Sequence, residues 1–533
     1  MLDLGTSFLA SVARDPDAVA IVDGETRLSY RAWFGHISAL VAGLGELGVK
    51  PGDHVVSLLQ NRWEAATLHW ACQFAGIIIT PLNWRATADE LEFCLADAEA
   101  VLLVHEDVAE AAVVGAPSAA KVPWVRLAES PSRLREGLRE GDARGTLHPP
   151  LTPPASGRGT PMADLLAASA ADATPRADAE AWSLMLYTSG TTSRPKGVPR
   201  RHRAERAAAI AHVAQNLYGR GERTLGVMPL YHTMGVRSLL AMSLIGGTFV
   251  CLPRFDVPAA LAAIERERIS NLYLVPTLYH DLVQHPGFAA TDTASVRKLG
   301  FAGAPMTDGL LQKLQAAFRP ELFVNHYGSS EIYTCTINAD AVRKPGCAGR
   351  AGLNQMIRVV ALGASDPHRL AAPGEEGEIA ALLAGDEAFE GYWRRPDANA
   401  RALCDGWFLT GDTGYVDADG DLYVTGRADD MIITGGENVS PVEIESRLSL
   451  HPAVAEVAVV GLPDERWGKL VTAFVKRCAP VSAEELAAYC RSSGLANFKR
   501  PRRFVFVAAV PKSPVGKVLR RKLVAGDYTP ERS

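Results

Sequence analysis

The segment from Tyr187 to Gly197, YTSGTTSRPKG, places six hydroxyl side chains, two glycines and a lysine within eleven residues. Glycines let a backbone approach a ligand closely, and hydroxyls and backbone N–H groups donate to phosphate oxygens, to which Lys196 adds a positive charge. The apolar run 182–186 before it predicts a strand. We therefore expect a strand followed by a phosphate-binding loop. It differs from the G-x-x-x-x-G-K-[ST] loop, because Lys196 is followed by a glycine.

The chain as a whole has the composition of a globular protein with more than one domain. It has 533 residues, of which 47% are hydrophobic and 22% charged. A chain of this length exceeds what a single core supports, so two or more domains are expected. The formal net charge is −5, and no basic cluster stands out. These features argue against a nucleic-acid-binding protein.

The cysteines and the apolar segments predict a cytoplasmic protein without a membrane partner. The eight cysteines are scattered, with no C-x-x-C pair, which favours buried, inert thiols in a reducing compartment. The N-terminal residues lack a basic region followed by an apolar run, so no signal peptide is predicted. The apolar stretch 239–252 is too short to span a bilayer and predicts a buried helix followed by a strand.

Helical and strand patterns alternate along the first half of the chain. Helices are predicted for 30–47 and 63–75, and strands for 55–59 and 76–81, which indicates an α/β architecture with parallel sheets. The stretch 140–175 is rich in Pro, Gly, Ala and Ser and predicts a surface insertion without chemistry.

The pattern changes after Gly374, where short strands with tight turns predominate. Asp419-Gly420 predicts a hairpin turn. Ser440 is predicted as the N-cap of a helix that has proline at its first position, with Glu443 completing a capping box. We predict a domain over 1–428 and a compact α+β domain over 429–533, with a hinge at Asp429.

Further segments, together with the Tyr187 loop, resemble the adenylate-forming superfamily of acyl-CoA synthetases, peptide-synthetase adenylation domains and luciferases. In order, they are PLYHTMG, FAGAPM, NHYGSSE, WFLTGD, GRADDMIITGGENVSPVEIE and PKSPVGKVLRR. The resemblance covers the whole chain. It implies an α/β fold, in which a large N-terminal domain of two β-sheets packed with helices, plus a distorted barrel, precedes a small mobile α+β domain.

The resemblance implies a nucleotide site. In it, Tyr327 stacks on adenine, Asp412 binds the ribose hydroxyls, and Glu331 holds Mg²⁺, a hard cation that the charge of a triphosphate requires. The residues implied to contact ATP or AMP are Thr188, Ser189, Gly190, Thr191, Thr192, Lys196, Gly303, Ala304, Pro305, Tyr327, Gly328, Ser330, Asp412 and Arg427. Ser193 stands where the loop usually has glycine, which leaves the conformation of the loop open.

The resemblance also implies the catalytic residues and a domain rotation. Lys517 is implied to bridge the acid carboxylate and the α-phosphate, and His232 to close over the carboxylate, with Glu331 as the third catalytic residue. A rotation about Asp429 is implied to exchange Lys517 for a glycine pair that lines the coenzyme A tunnel.

The C-terminal half is especially similar to aryl-CoA ligases. This similarity implies coenzyme A contacts at Gly435, Gly436, Trp467, Phe498 and Arg500. It implies an acyl pocket lined by His232, Thr233, Met234, Tyr273, Ala302, His326, Tyr333 and Thr334. Buried phenol, imidazole and hydroxyl groups need partners. The pocket therefore favours a small ring with a heteroatom or a hydroxyl, such as 4-hydroxybenzoate, benzoate or 2-furoate, over a fatty acid.

These observations predict an ATP-dependent ligase that uses ATP, Mg²⁺ and coenzyme A and proceeds through an acyl-adenylate. A medium-chain or alicyclic acyl-CoA synthetase is one alternative. An adenylation enzyme that loads a carrier protein is another, which the lack of an acidic residue after Tyr231-His232 disfavours. A non-catalytic nucleotide-binding protein is the third. The physiological acid and the oligomeric state, with a homodimer among the options, stay open.

Overall fold

The computed structural model describes residues 2–128, 159–167, 170–188, 194–364, 366–427, 430–435, 437–513, 516 and 518–531. Several predicted features lie outside the described residues. They are most of the 140–175 insertion, the loop residues Ser189, Gly190, Thr191, Thr192 and Ser193, the hinge residue Asp429, Gly436 and Lys517.

Helices and strands alternate through most of the chain. The strands are β1 (Val19–Asp23), β2 (Thr26–Ser29), β3 (His54–Leu58), β4 (Ile78–Pro81), β5 (Leu102–Glu106), β6 (Trp124–Leu127), β7 (Gly159–Pro161), β8 (Trp182–Thr188), β9 (Lys196–Arg201), β10 (Arg223–Gly226), β11 (Thr248–Cys251), β12 (Asn271–Leu274), β13 (Lys298–Phe301), β14 (Leu322–Tyr327), β15 (Thr336–Asn338), β16 (Cys347–Ala351), β17 (Ile357–Ala361), β18 (Gly377–Leu382), β19 (Leu403–Cys404), β20 (Trp407–Val416), β21 (Leu422–Arg427), β22 (Ile432–Thr434), β23 (Glu437–Val439), β24 (Val454–Asp464), β25 (Gly468–Arg477) and β26 (Arg503–Phe506).

The helices cover the faces of the sheets. They are α1 (Leu4–Arg14), α2 (Tyr30–Glu46), α3 (Trp63–Ala75), α4 (Ala88–Asp97), α5 (Glu110–Gly115), α6 (Met162–Ala167), α7 (His202–Gln215), α8 (Thr233–Ile245), α9 (Val257–Arg266), α10 (Pro276–Gln284), α11 (Asp308–Phe318), α12 (Pro396–Ala402), α13 (Pro441–Ser449), α14 (Ala483–Ser492) and α15 (Arg520–Val524).

The first sheet has the strand order β7-β6-β5-β3-β4-β8-β9. Its strands are parallel except at the edge, where β8 and β9 form an antiparallel pair with Thr188 opposite Lys196. Strands β3, β4 and β5 are buried throughout, as expected of parallel strands covered on both faces. The predicted strand before the Tyr187 loop is confirmed, and β8 and β9 hold the two ends of that loop side by side.

The second sheet combines a parallel region with an antiparallel one. The parallel region has the strand order β1-β11-β10-β12-β13-β14, with β2 antiparallel to β1 at the edge. Beyond β14 the sheet continues with antiparallel pairing in the order β15-β16-β21-β20-β18-β17. Where the sequence predicted a distorted barrel, the structure has this antiparallel region, joined edge to edge to the parallel strands. The carboxyl ends of β12, β13 and β14 lie side by side.

The main core lies between the two sheets. One buried cluster joins Phe8 of α1, Trp33 of α2 and Trp70 of α3 to Leu184 of the first sheet and Phe249 of the second. The predicted helices at 30–47 and 63–75 correspond to α2 and α3, and the stretch 239–252 forms the end of α8 followed by β11, as predicted. Among the described residues, no helix is long and apolar enough to cross a membrane.

The C-terminal residues form a separate small α+β unit with its own cores. Strands β23, β22, β25 and β24 pair in this order, and β26 pairs with β25. One buried cluster contains Ile444, Val459 and Leu486, and a second contains Phe474 and Leu523. The predicted boundary at 428/429 falls on residues outside the described ranges and stays a prediction.

Two local predictions from the sequence are wrong. Ser440 is the N-cap of α13 and proline occupies the first turn, but the capping box does not form. The Ser440 hydroxyl instead donates to the Thr425 carbonyl, and Glu443 accepts from Lys499 at 2.6 Å, so tertiary contacts replace the local ones. The thiols are also not all buried, because Cys478 is exposed and Cys404 is half-buried.

Candidate active site

A cluster of polar side chains forms where β14, β20 and β21 meet. Tyr327 is the last residue of β14, and Asp412 of β20 lies opposite Arg427 of β21 in their antiparallel pairing. The Tyr327 hydroxyl donates to Asp412 Oδ2 at 2.7 Å, and Arg427 Nε lies 3.3 Å from Asp412 Oδ1. Burial, followed by the Asp412 charge, raises the pKa of Tyr327 well above its usual value, so the phenol keeps its proton.

Asp412 is oriented by the backbone around it. Its N–H donates to Thr410 Oγ1 at 3.1 Å, and the Thr410 hydroxyl donates in turn to the Ile379 carbonyl at 2.8 Å. Gly411 between them adopts a φ of +73° and donates its N–H to Glu378 Oε1 at 3.2 Å. The positive φ suits glycine, which explains the WFLTGD pattern physically.

Lys196 and Glu331 both contact Tyr392, a residue that was not predicted from the sequence. The Tyr392 hydroxyl donates to Glu331 Oε1 at 2.7 Å, and Lys196 Nζ lies 4.0 Å from the centre of the Tyr392 ring. Burial lowers the pKa of Lys196, and the Glu331 charge opposes that shift. Tyr392 follows a glycine before Trp393-Arg394, but nothing in that pattern marks it as a contact of both groups. We call Tyr327, Asp412, Arg427, Lys196, Glu331 and Tyr392 the strand-end cluster.

Glu331 satisfies the basic requirement for a Mg²⁺ ligand. Its carboxylate is buried, with an exposure of 8%, and one oxygen accepts from Tyr392. Mg²⁺ is held in proteins by one or two carboxylates together with water and substrate phosphates, so a single oriented carboxylate fits. Among the described residues, three carboxylates lie close enough together to bind a metal ion at Asp417, Asp419 and Asp421. Lys344 forms ion pairs with all three of them.

The glycine turns predicted beside the nucleotide lie at the carboxyl ends of the parallel strands. Gly303 follows β13 with a φ of +81°, and a Cβ at Gly328 would lie 2.2 Å from the Tyr333 carbonyl oxygen. Thr188 Oγ1 donates to the Lys196 carbonyl at 3.5 Å. Three further predicted residues, which are exposed or half-buried, border the same turns, namely Ala304, Pro305 and Ser330.

His232 caps the helix that leads into the predicted acyl pocket. It is the N-cap of α8, and its Nδ1 accepts from the Met234 N–H at 3.3 Å. A Cβ placed on Gly303 would lie 3.8 Å from Met234 Sδ. The N-terminus of α8 therefore adjoins the turn after β13, with Thr233 and Met234 buried behind His232. The structure brings these predicted residues together.

A buried arginine lies among the remaining predicted pocket residues. Arg237 on α8 is 2% exposed. Its Nη1 donates to the Tyr333 carbonyl at 3.2 Å and to Thr334 Oγ1 at 2.5 Å, and its Nη2 donates to the Tyr273 hydroxyl. Arg237 was not predicted from the sequence, although it lies four residues after Thr233 and therefore on the same face of a helix, which was the available signal.

Two buried histidines complete this region. His326 Nε2 is 3.2 Å from Asn216 Oδ1, and Asn216 Nδ2 is 3.0 Å from His212 Nδ1. The Tyr273 ring centre lies 4.6 Å from that of His212 and 5.2 Å from that of His326. Burial, together with the Arg237 charge, holds the pKa of both histidines well below the usual value. We call Arg237, Tyr273, His212, His326, Asn216, Tyr333 and Thr334 the polar interior. Ala302, also predicted to line the pocket, is buried at the end of β13.

An ion pair and a second carboxylate support the polar interior from behind. The Tyr333 hydroxyl donates to Glu205 Oε2 at 3.1 Å, and Glu205 Oε1 pairs with Arg200 at 2.7 Å. Glu387 Oε2 accepts from the Thr334 N–H at 3.0 Å. Burial raises the pKa of Glu387, and Arg237 and Arg200 oppose that shift. The pocket residues are thus fixed by buried groups on α7 and near α12.

The C-terminal unit contacts the N-terminal residues next to this region. Gly516, the neighbour of Lys517, has a φ of +81°, and a Cβ there would lie 2.2 Å from Thr277 Oγ1 and 2.9 Å from Val275 Cγ2. Val275 also lies beside Gly303. Gly516 therefore packs against Val275, which lies between β12 and α10, and against Thr277 of α10, beside the predicted adenine turn.

The predicted coenzyme A residues are brought together only in part. The Gly435 N–H donates to the Trp467 carbonyl at 2.9 Å, and a Cβ on Gly435 would lie 2.9 Å from the Trp467 ring. The Arg502 guanidinium lies 4.2 Å from the centre of that ring. Phe498 is 36% exposed, and Lys499 Nζ lies 5.8 Å from the centre of its ring. Arg500 Nε donates to the Leu495 carbonyl at 2.9 Å.

Comparison with known proteins assigns the chain to a family. The AMP-binding enzyme family matches residues 8–393, and the AMP-binding enzyme C-terminal domain matches residues 443–517. The 4-chlorobenzoate–CoA ligase of Arthrobacter sp is 35% identical over 96% of this chain and 93% of its own. The long-chain-fatty-acid–CoA ligase FadD13 of Mycobacterium tuberculosis is 31% identical over 98% of each chain. The structure of ATP-bound MatB from Rhodopseudomonas palustris has a TM-score of 0.84 and 27% identity, and the match covers 98% of this chain and 99% of MatB.

The chain belongs to the family of AMP-binding enzymes. Within that family it is an AMP-forming acyl-CoA synthetase, which uses ATP and coenzyme A as substrates together with a carboxylic acid. The relatives include ligases named for aryl and for fatty acids, so family membership leaves the acid open.

Proposed function

We propose that this enzyme activates a small aromatic or heteroaromatic carboxylic acid and transfers it to coenzyme A. In the first step a carboxylate oxygen attacks the α-phosphorus of ATP, the bond to pyrophosphate breaks, and an acyl-adenylate forms. In the second step the coenzyme A thiol, losing its proton to solvent, attacks the acyl carbon, and AMP leaves. AMP is a far better leaving group than the hydroxide or oxide ion that an unactivated carboxylic acid would have to lose. The two steps therefore replace one difficult substitution by two easier ones.

The polar interior is the observation that carries the choice of acid. An alkyl chain placed against Arg237, His212 and His326 would bury these groups without offering them a hydrogen bond. A small ring can lie against the polar interior while a ring substituent meets its polar atoms. The bulk of these side chains also favours a short acid. The polar atoms and the bulk of these side chains support a substituted ring over a fatty acid.

In this proposal the strand-end cluster holds the nucleotide. Asp412, freed from its bond to Tyr327, accepts from the two ribose hydroxyls, and Arg427 lies beside the ribose and the phosphate. Tyr327 stacks on adenine, which the turns at Gly303 and Gly328 border. Thr188, Lys196 and Ser330 contact the phosphates. Asp412 and Arg427 already lie in one cluster, so little reorganisation of charge is needed when the nucleotide binds.

The same proposal assigns the groups that act on the α-phosphate. Glu331 would hold Mg²⁺, which when bound neutralises phosphate charge. Lys517 stabilises the charge that develops as the carboxylate attacks, and His232 lies over the carboxylate. Gly516, next to Lys517, packs beside the turn at Gly303, and this supports the assignment of Lys517 to adenylation.

For the second step we propose that the domain 429–533 rotates about Asp429. The rotation replaces Lys517 by the Gly435-Gly436 face, so that these glycines line the tunnel for pantetheine. Trp467, Phe498 and Arg500 then contact coenzyme A. The contact between Gly435 and Trp467 supports a shared surface for the tunnel and for coenzyme A.

An acid panel tests this proposal. Purified enzyme with ATP, Mg²⁺ and coenzyme A is assayed for acyl-CoA with benzoate, hydroxybenzoates, 4-chlorobenzoate, 2-furoate, anthranilate and hexanoate. We expect thioester from aromatic acids, with AMP and pyrophosphate formed in equal amounts. Highest activity with hexanoate would contradict the aromatic assignment. Acid-dependent pyrophosphate release without any acyl-CoA would instead indicate transfer to a carrier protein.

A further inference from the structure

Three buried polar atoms of the polar interior have no hydrogen-bond partner among the described residues. They are Arg237 Nε, His212 Nε2 and His326 Nδ1. All three side chains are at least 98% buried. Unpaired buried polar atoms are costly, and among the seventeen that the described residues contain, these three belong to neighbouring side chains of the polar interior. The hydrogen bonds around them determine which atoms donate and which accept.

Asn216 fixes the tautomers of both histidines. Its Nδ2 donates to the His212 carbonyl at 2.8 Å, so this atom is the amide nitrogen and Oδ1 is the carbonyl oxygen. Oδ1 can only accept, so His326 Nε2, at 3.2 Å, carries the hydrogen. Nδ2 can only donate, so His212 Nδ1, at 3.0 Å, is the acceptor and its hydrogen is on Nε2. Both imidazoles are neutral, because burial and Arg237 hold their pKa values well below the usual value.

The unpaired set therefore consists of two donors and one acceptor. Arg237 Nε and His212 Nε2 each present an N–H, whereas His326 Nδ1 presents a lone pair. A hydroxyl group has one O–H to donate and two lone pairs to accept with, which is the complementary set. A carboxylate only accepts and would leave His326 Nδ1 unpaired. A chlorine or hydrogen on a ring would leave all three atoms unpaired.

The location of these atoms suits the far end of a bound acid. Tyr273, which His212, His326 and Arg237 surround, lies opposite Gly300 in the β12–β13 pair. Gly303 lies in the turn predicted to border adenine, and Gly300 comes three residues before it. In an extended strand, three residues span about 10 Å. His232 caps α8 and Arg237 lies five residues further along the same helix, so an acid whose carboxylate lies near His232 can extend along α8 towards Arg237.

We propose that the enzyme selects an aromatic acid that carries a ring hydroxyl away from the carboxylate, recognised by Arg237, His212 and His326. This inference rests on the proposed function and names its substrate class more closely. Arg237 Nε–H and His212 Nε2–H donate to the hydroxyl oxygen, and the hydroxyl donates to His326 Nδ1. A site built to hydrogen-bond a hydroxyl discriminates strongly against the analogue that lacks it, because its own polar atoms stay unpaired.

The test compares kcat/KM for thioester formation with 3- and 4-hydroxybenzoate, benzoate, 4-chlorobenzoate, terephthalate and 2-furoate. We expect one of the hydroxybenzoates to exceed benzoate and 4-chlorobenzoate by at least about 10²-fold. Benzoate or 4-chlorobenzoate within about tenfold of both hydroxybenzoates, or terephthalate or 2-furoate as the best substrate, would overturn the inference and leave an aromatic ligase standing. Failure of every acid in the panel would instead refute the proposed function.

A matched pair of variants assigns the preference to the residue. His326→Leu removes the acceptor, and the hydroxybenzoate-to-benzoate ratio should fall to within about tenfold, mainly through KM for the hydroxylated acid. His326→Asn places an amide oxygen near the position of Nδ1 and should keep most of the preference. An unchanged ratio in His326→Leu would overturn the assignment. The comparison within the wild-type enzyme stands if either variant fails to fold.

Discussion

The strand-end cluster and the polar interior each contain an arginine and two tyrosines, but in different surroundings. In the strand-end cluster, the side chains of Arg427 and Asp412 are 40% and 17% exposed, so water and ligand can reach their charges. In the polar interior, Arg237 and His326 are each 2% exposed. A charge pair in contact with solvent exchanges partners at low cost, whereas a buried arginine requires a specific partner for each N–H.

The difference in solvent exposure indicates that the two regions have different functions. The strand-end cluster can bind a nucleotide by exchanging hydrogen bonds within itself for bonds to the ribose and phosphates, whichever acid is present. The polar interior accepts only a group that completes its own hydrogen bonds. The strand-end cluster thus carries out the chemistry that is common to every acid. The polar interior discriminates among acids.

Removal of the Lys517 side chain should have the largest effect on adenylate formation, the step that is common to every acid. Lys517→Ala is expected to lower adenylate formation by about 10²–10³, because one charge that stabilises the transition state is lost. Conversion of supplied acyl-adenylate to thioester should be retained, and the ranking of acids should not change. Rapid-quench assays of each half-reaction measure this. An equal loss in both half-reactions would refute the domain-alternation assignment.

A smaller change beside that lysine should also separate the half-reactions. Gly516→Ala would place a Cβ 2.2 Å from Thr277 Oγ1 and 2.9 Å from Val275 Cγ2, so residue 516 could no longer keep its packing against α10. We expect adenylate formation to fall by roughly tenfold or more, since misplacement by about 1 Å is known to be costly. Thioester formation from supplied adenylate should change little.

Gly526→Ala is the matched control for that variant. Gly526 has a φ of +79°, close to that of Gly516, but apart from its chain neighbours no atom of the described residues lies within 4 Å of its added Cβ. The two substitutions share the backbone strain and differ in the contact with Thr277. If both variants lose the same activity, strain alone explains the result. Restoration by Thr277→Gly in the Gly516→Ala background would confirm the steric contact.

Tyr392 tests whether the strand-end cluster acts as a unit. Tyr392→Phe removes the hydrogen bond to Glu331 but keeps the ring beneath Lys196, whereas Tyr392→Leu removes both. We expect kcat/KM for ATP to fall by about tenfold in the Phe variant and further in the Leu variant. The acid preference should be unaffected, and ATP affinity measured by calorimetry should follow the same order. Wild-type values in both variants would exclude a positioning role.

The buried histidines should make the interior sensitive to acid. Burial lowers the pKa of His54 and His202 to about 4 and that of His69 to about 3, and those of His212 and His326 fall well below the usual value. Since these groups are neutral when folded, their stabilisation is complete above pH 6.5. It is lost as the pH falls from 6.5 towards 4, where the unfolded chain takes up protons.

For His54 and His202, a pKa lowered from 6.5 to about 4 corresponds to a loss of about 3 kcal/mol each. Calorimetric Tm values at pH 7.5, 6.5, 5.5 and 4.5 should therefore fall steadily below pH 6.5. His326→Asn removes one of these groups and should flatten the dependence slightly. A Tm that stays constant down to pH 4.5 would contradict neutral burial of these rings.

The sequence predicted most of the fold because its periodic patterns were strong. The helix at 63–75 and the hairpin at Asp419-Gly420 form as predicted, since apolar spacing and a positive-φ glycine determine them locally. The capping box predicted at Ser440 does not form, because the side chains of Ser440 and Glu443 instead bond to residues distant in sequence, Thr425 and Lys499. Contacts of this kind have no local sequence signal.

The candidate site was predictable to different extents in its two regions. Tyr327, Asp412 and Arg427 lie in recognisable motifs, and the structure brings them together. Arg237 and Tyr392 act through contacts with residues about 35 to 200 positions away, which only the folded chain reveals. The hydrogen-bond roles of His212 and His326 depend on the orientation of one asparagine amide, which no pattern of residue types encodes.

A paired kinetic measurement of Asp412→Ala and His326→Leu tests the division between the two regions most directly. In each variant, kcat/KM is determined for ATP and for a hydroxybenzoate against benzoate. Asp412→Ala should lower the value for ATP by at least about tenfold through lost charge-assisted hydrogen bonds, with the acid ratio unchanged. His326→Leu should collapse the acid ratio and leave the KM for ATP within about threefold of wild type. An Asp412→Ala enzyme with altered acid preference, or a His326→Leu enzyme with impaired ATP binding and an intact acid ratio, would contradict the account.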